Sequence, residues 1–226
     1  TKGDLGGAIA DFSQAIQRDP KSLLAYGHRG NARRAKGDID DAIADYNRVL
    51  QIDPKSVVTY QNRGIARQAR GDLDGAIADY DRAIELDSKY AEVYVNRGVA
   101  RERRRDLSGA LADHTRAIEL RPDYALAYQN RSWVRILQND LEGALPDLNR
   151  AIELEPKSIL YRNRGVIKER NRDLDGAIAD YSRAIELDPK NPEAYQNRGN
   201  VKRLKGDRFG AKDDLDRALQ LQNARP

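Results

Sequence analysis

The chain contains no cysteine and no methionine, and only one tryptophan, two phenylalanines and two histidines among 226 residues. Without cysteine there are no disulfides, no thiolate metal sites and no thiol nucleophile, and a cysteine-free chain is tolerated on either side of a redox boundary. The compartment stays open, with the cytoplasm the favoured side. The histidines, His28 and His114, are far apart in the chain, which leaves no obvious acid–base pair, so catalysis and a bound cofactor or metal are set aside. Long apolar runs are also missing: the longest are a few residues, against about 20 for a membrane-spanning helix, so insertion into a membrane is not expected. Charge of one sign is lacking too. The 40 Lys and Arg are interspersed with 36 Asp and Glu, giving a net charge of +4 with no basic tail, which argues against bulk attraction to nucleic acid.

What is present is a repeat. Ala8, Ala42, Ala76, Ala110, Ala144, Ala177 and Ala211 recur at steps of 34 residues, with one step of 33, each inside a near-copy of one segment. A period of this length means that no unit buries its own apolar face, so the core is shared between stacked neighbours and function belongs on the extended surface.

The clearest copy runs from Val57 to Tyr90 and divides at Gly71-Asp72. Before the break, Tyr60, Gly64 and Arg67 share one helical face and Asn62, Ile65 and Ala69 another; after it, Ala76, Tyr80, Ala83 and Ile84 form an apolar stripe. This predicts two helices. Gly71 suits a left-handed helix end, and Asp72 and Asp74 supply acceptors and negative charge to the next helix. Pro20, Pro54, Pro122, Pro156 and Pro189 follow the second helices, and the 33-residue step falls in one of these linkers. Pro146 lies within a second helix, where a bend is expected.

Tyr60, Gly64, Ala76, Tyr80 and Ala83 stand where the tetratricopeptide repeat family places its small and aromatic packing residues, and the chain resembles that family over nearly its whole length. The resemblance implies an all-α fold, an α-α superhelix of about 13 helices forming a right-handed solenoid of antiparallel hairpins, with first helices lining a concave face. It divides residues 1–226 into an orphan second helix (1–22), six repeats (23–56, 57–90, 91–124, 125–158, 159–191 and 192–222) and a tail (223–226). The opening at Thr1, partway through a repeat and without a leader-like segment, reads as an excerpt of a longer protein.

The departures from the family pattern are regular. Where the family has an apolar residue before the glycine, this chain has Arg29, Arg63, Arg97, Arg131, Arg164 and Arg198, and every second helix carries a matching Asp: Asp45, Asp79, Asp113, Asp147, Asp180 and Asp214. This predicts a structural Arg–Asp ladder between paired helices, of which Arg63–Asp79, Arg97–Asp113 and Arg131–Asp147 are the central rungs. One turn after each glycine position lies a second basic row, Arg33, Arg67, Arg101, Arg135, Lys168 and Lys202, read as a solvated helix edge in preference to a phosphate track.

On the first helices Asn62, Asn96, Asn130, Asn163 and Asn197 form a row, with His28 in the first hairpin. An amide that donates and accepts can pair with any peptide backbone, and the row resembles the asparagine ladder in the superhelix of the O-linked N-acetylglucosamine transferases. The alternative is that these amides bond neighbouring helices and order the stack. Beside them, Ile65, Val99, Trp133 and Val166 are apolar in the middle of the array, and Ile136 and Leu137 join Trp133. This is the pattern of an apolar hot spot with a charged rim, although Trp133 is also read as core packing that compensates for Ser132. Of the carboxylate clamp by which some family members hold chaperone tails, only Arg162 has a counterpart, and Val166 stands where its asparagine belongs. The expected function is therefore a non-enzymatic scaffold that holds an extended peptide of a protein partner in its groove. The alternative is a spacer or self-assembly module associating through open helix ends.

Overall fold

A computed structural model describes residues 4–224. Those residues are all-α, in thirteen helices: α1 (Leu5–Arg18), α2 (Leu23–Lys36), α3 (Ile39–Ile52), α4 (Val57–Arg70), α5 (Leu73–Leu86), α6 (Ala91–Arg103), α7 (Leu107–Leu120), α8 (Ala125–Leu137), α9 (Leu141–Leu154), α10 (Ser158–Arg170), α11 (Leu174–Leu187), α12 (Pro192–Leu204) and α13 (Arg208–Asn223). They fall into two compact units divided between Pro122 and Asp123. In the first, α1 is followed by the hairpins α2/α3, α4/α5 and α6/α7; each helix packs on its chain neighbours, and the first helices of successive hairpins touch. In the second, α8/α9, α10/α11 and α12/α13 pack in chain order, and the first helices α10 and α12 touch.

The turn inside each hairpin follows from local chemistry. Gly37, Gly71 and Gly206 end their helices at φ 99°, 88° and 86°, a left-handed conformation that costs glycine nothing sterically. The same slot is filled by Arg105, Asn139 and Arg172 at φ 66°, 61° and 64°. In all six hairpins the next residue, an aspartate, donates its N–H to the carbonyl of the basic residue five positions earlier, as in Asp72 to Arg67 at 2.9 Å and Asp173 to Lys168 at 2.9 Å. That bond closes the turn whether or not glycine is present.

The aspartate then caps the second helix. Asp72, Asp106, Asp140 and Asp173 each accept the N–H of a glycine three residues on at 2.9 Å. In α3 the corresponding residue is Asp41, and Asp38 makes no such bond. The cause is space: a Cβ on Gly75 would lie 2.3 Å from Asp72 Oδ2, so a side chain there excludes the cap.

In four of the six hairpins the core is a ring set against a backbone, whereas in α12/α13 Gly199 faces Leu215. Tyr46, Tyr80, His114 and Tyr181 are buried opposite Gly30, Gly64, Gly98 and Gly165, and a Cβ on any of these glycines would fall 2.6–2.8 Å from a ring atom. In the α8/α9 hairpin both sides change together: Ser132 replaces the glycine, Leu148 replaces the ring, and both are fully buried. Leu148 is the side chain that compensates for Ser132, and Trp133, 40% exposed, is not a core residue. Pro146 lies inside α9, which runs unbroken from Leu141 to Leu154. The 33-residue step is a shortened link, residues 155–157, between α9 and α10.

Candidate functional site

The second helix of each of the six hairpins carries an aspartate that is buried between two cations. Arg63 donates to Asp79 through Nε at 2.9 Å and Nη2 at 2.5 Å, and Arg67 Nη1 reaches the same carboxylate at 2.9 Å. The pattern recurs with Arg97 and Arg101 on Asp113, Arg131 and Arg135 on Asp147, Arg164 and Lys168 on Asp180, and Arg198 and Lys202 on Asp214. Arg29 and Arg33 hold Asp45 likewise. The second basic row is thus not the solvated edge expected from its periodicity. Its side chains are 20–28% exposed and committed to the same carboxylates.

The remaining donor of the first arginine reaches the preceding second helix: Arg63 Nη1 to Asn47 at 2.7 Å, Arg97 to Asp81 at 2.6 Å and Arg198 to Ser182 at 3.0 Å. Each guanidinium also stacks on the tyrosine three residues earlier, as Arg63 does over Tyr60 at 5.5 Å. One side chain therefore joins two helices of its hairpin to the hairpin before. Burial alone would push the Asp214 carboxyl up, but the hydrogen bonds and charges of Arg198 and Lys202 outweigh it and hold it below the ordinary value.

The asparagine row is half-buried throughout. Asn62, Asn96, Asn130 and Asn197 make no side-chain hydrogen bond with any described residue, and Asn163 accepts only a long one, 3.5 Å, from Arg162. In the first unit Asn62 lines a cleft of about 240 Å³ with His28, Asn31 and Leu24. Ile65 packs onto the Ala76–Tyr80 core, and Val99 is half-buried on α6.

The second unit gathers more. A cleft of about 400 Å³ is lined by Trp133 and Ile136 of α8, Leu141 of α9, Arg162, Asn163, Val166, Ile167 and Arg170 of α10, and Glu193, Gln196 and Asn197 of α12. Asn130 and Leu137 lie outside it. Arg162 meets Glu193, and burial lowers its guanidinium below the ordinary value. Leu141, Ile167 and Glu193 are absent from the sequence reading, because they lie away from the rows that periodicity picks out. Much of the lining is apolar, the three amides of Asn163, Gln196 and Asn197 border it, and the Arg162–Glu193 ion pair is part of the wall. That is the chemistry of a site for a chain with apolar side chains and an unsatisfied backbone.

Among the described residues no group of three or more His, Cys, Asp or Glu is placed to hold a metal ion, and no helix is long and apolar enough to cross a membrane.

The TPR repeat family model matches residues 30–69, 66–103 and 173–206, and a tetratricopeptide repeat model matches residues 125–158. Together these segments cover more than half of the chain, and with the hairpin stacks of each unit they make it a protein of tetratricopeptide-repeat-like fold. No curated protein sequence matches it. Among solved structures, it is similar to Pseudomonas aeruginosa PilF at 18% identity, covering 92% of this chain and 95% of that one with a TM-score of 0.80. YrrB, described as a TPR protein with an unusual peptide-binding site, is similar at 24% identity over 80% of this chain and 93% of that one, with a TM-score of 0.66. The C-terminal part of a TPR repeat-containing protein from Cytophaga hutchinsonii is similar at 17% identity, over 98% and 92%, with a TM-score of 0.75. At these identities the likeness is one of fold.

Proposed function

We propose that the protein is a non-enzymatic scaffold that holds an extended segment of a partner protein in the groove formed by the first helices of its second unit. The observation that carries this reading is the coincidence, in one cleft of about 400 Å³, of the exposed Trp133, the apolar Ile136 and Val166, and the amides of Asn163 and Asn197. The apolar walls take side chains, and the amides pair with peptide N–H and C=O groups whatever the sequence. The peptide-binding site named for YrrB is consistent with this use of the fold.

The test is a peptide array read with fluorescent native protein, with Trp133→Ala and with Asn163→Ala/Asn197→Ala, all matched for helicity. The reading expects a subset of peptides to bind. The amide variant should lose affinity by about ten-fold across that subset, since two hydrogen bonds at about 0.5–1.5 kcal/mol each are removed, and Trp133→Ala should erase the preference for apolar anchors. A native protein that binds nothing, or variants indistinguishable from it, would sink the proposal.

A second reading is association of copies through α13, which exposes Phe209 at 88% and Leu219 at 56%. The same helix carries Arg208 and Lys212 where α5 has Leu73 and Ile77, and those charges oppose burial of that face. Light scattering that shows a single monomer mass at rising concentration would exclude this reading.

A further inference from the structure

Arg170 is the last residue of α10 and is exposed. It lines the Trp133 cleft and also an adjoining cleft of about 420 Å³ formed with Val166, Glu169, Arg172, Asn197 and Leu204. Three of the other cations near it are committed: Arg162 to Glu193, and Arg164 and Lys168 to Asp180. Glu169, its acidic neighbour, accepts the Tyr181 hydroxyl at 2.8 Å. Neither Arg170 nor Arg172 forms an ion pair with any described residue. The surface therefore runs from an apolar cleft at Trp133, through the unmatched positive charges of Arg170 and Arg172, to the 59% exposed Leu204.

We propose that the groove selects an extended segment in which an internal acidic side chain meets Arg170, flanked by one apolar side chain in the Trp133 cleft and another against Leu204. This rests on the second unit being a peptide groove and adds the chemistry of the peptide. Neighbouring helices pack about 8–10 Å apart and an extended chain advances about 3.3 Å per residue, so acid and anchor lie within about three residues of each other. A nucleic acid fits the same surface less well. Trp133 is the single aromatic side chain lining the two clefts, whereas single strands are held by a series of stacking rings.

Fluorescence polarisation with short labelled peptides, acetylated and amidated so that only side chains carry charge, tests this on the full chain. The three probes are apolar–acid–apolar, the same peptide with the acid replaced by its amide, and the same with lysine; the proteins are native, Arg170→Glu and Trp133→Ala, checked for equal helicity. The native protein should prefer acid over amide by about three- to ten-fold, less at high salt, and Arg170→Glu should transfer the preference to lysine. If all three probes bind the native protein alike and Trp133→Ala weakens each, the groove reading stands and the acidic preference is overturned. If no probe binds, or Trp133→Ala changes nothing, the groove reading falls and the preference with it. A single-stranded RNA that binds more tightly than the acidic peptide and is released by Arg170→Glu overturns the proposal in favour of nucleic acid.

Discussion

Tyr80 is fully buried against the backbone of Gly64, among Ala76, Ala83, Val93 and Ala100. A methyl group on Gly64 would lie 2.6 Å from Tyr80 Cε1, so Gly64→Ala forces the ring out of a filled site, at a cost of roughly 1–3 kcal/mol. In the α8/α9 hairpin Ser132 and Leu148 occupy the two corresponding positions, both fully buried. Urea denaturation should therefore find Gly64→Ala destabilised, and Gly64→Ser/Tyr80→Leu less destabilised than its two single changes combined. A neutral Gly64→Ala, or strict additivity in the double variant, would contradict the account. The Ser132–Leu148 exchange was open to view in the sequence, where both positions depart from the pattern in the same repeat. The second basic row differs from its sequence expectation for a physical reason: helical periodicity shows which face Arg67 occupies, but not that Asp79 Oδ2, on the next helix, accepts from Arg67 as well as from Arg63.

At the scale of the helix, the glycine three residues after the capping aspartate serves the cap in every second helix but α3. The Gly75 N–H lowers the Asp72 carboxyl, with help from the Arg70 hydrogen bond and the charges of Arg67 and Arg70, against a smaller upward push from burial. A carboxyl held below its unfolded value stabilises the fold while it is charged. That contribution is complete above the ordinary value of 3.8 and is lost as pH falls through the lower folded value. Gly75→Ala displaces the cap, as Asp41 does in α3. Alanine regains about 1 kcal/mol of helix propensity and the lost cap costs about the same, so stability at neutral pH should change little. The informative measurement is an NMR titration of Asp72, which should move up toward 3.8 in the variant; an unchanged titration would mean that the arginines alone set it. The hairpin break was legible from Gly71-Asp72. It was less legible at Arg105, Asn139 and Arg172, where left-handed residues carry side chains and the repeated aspartate N–H bond keeps the turn closed.

At the scale of the whole molecule, a repeat protein's stability is approximately a sum of units and nearest-neighbour interfaces, and about three repeats suffice for a stable stack. The second unit contains three hairpins, and every residue lining the Trp133 cleft belongs to it. The first unit holds Asn62 and Asn96, whose amides are free of side-chain hydrogen bonds with described residues but do not border that cleft. The asparagine row is regular in sequence, but the cleft is local, because Trp133 stands where the first unit has Ile65 and Val99 and changes the size of what lies beside the amides. If the cleft alone carries recognition, a fragment of residues 123–226 should be helical, unfold cooperatively and bind the array peptides within about two-fold of the full chain. A fragment of residues 1–122 should not bind them. Should the second-unit fragment keep its helicity but bind more than about ten-fold more weakly, the peptide must also contact the first unit, and Asn62→Ala/Asn96→Ala in the full chain would then reproduce the loss. An additional loss of that size corresponds to about 1.4 kcal/mol, the scale of one or two amide–backbone hydrogen bonds, so the pair of measurements separates a local cleft from a groove extended along the amide row.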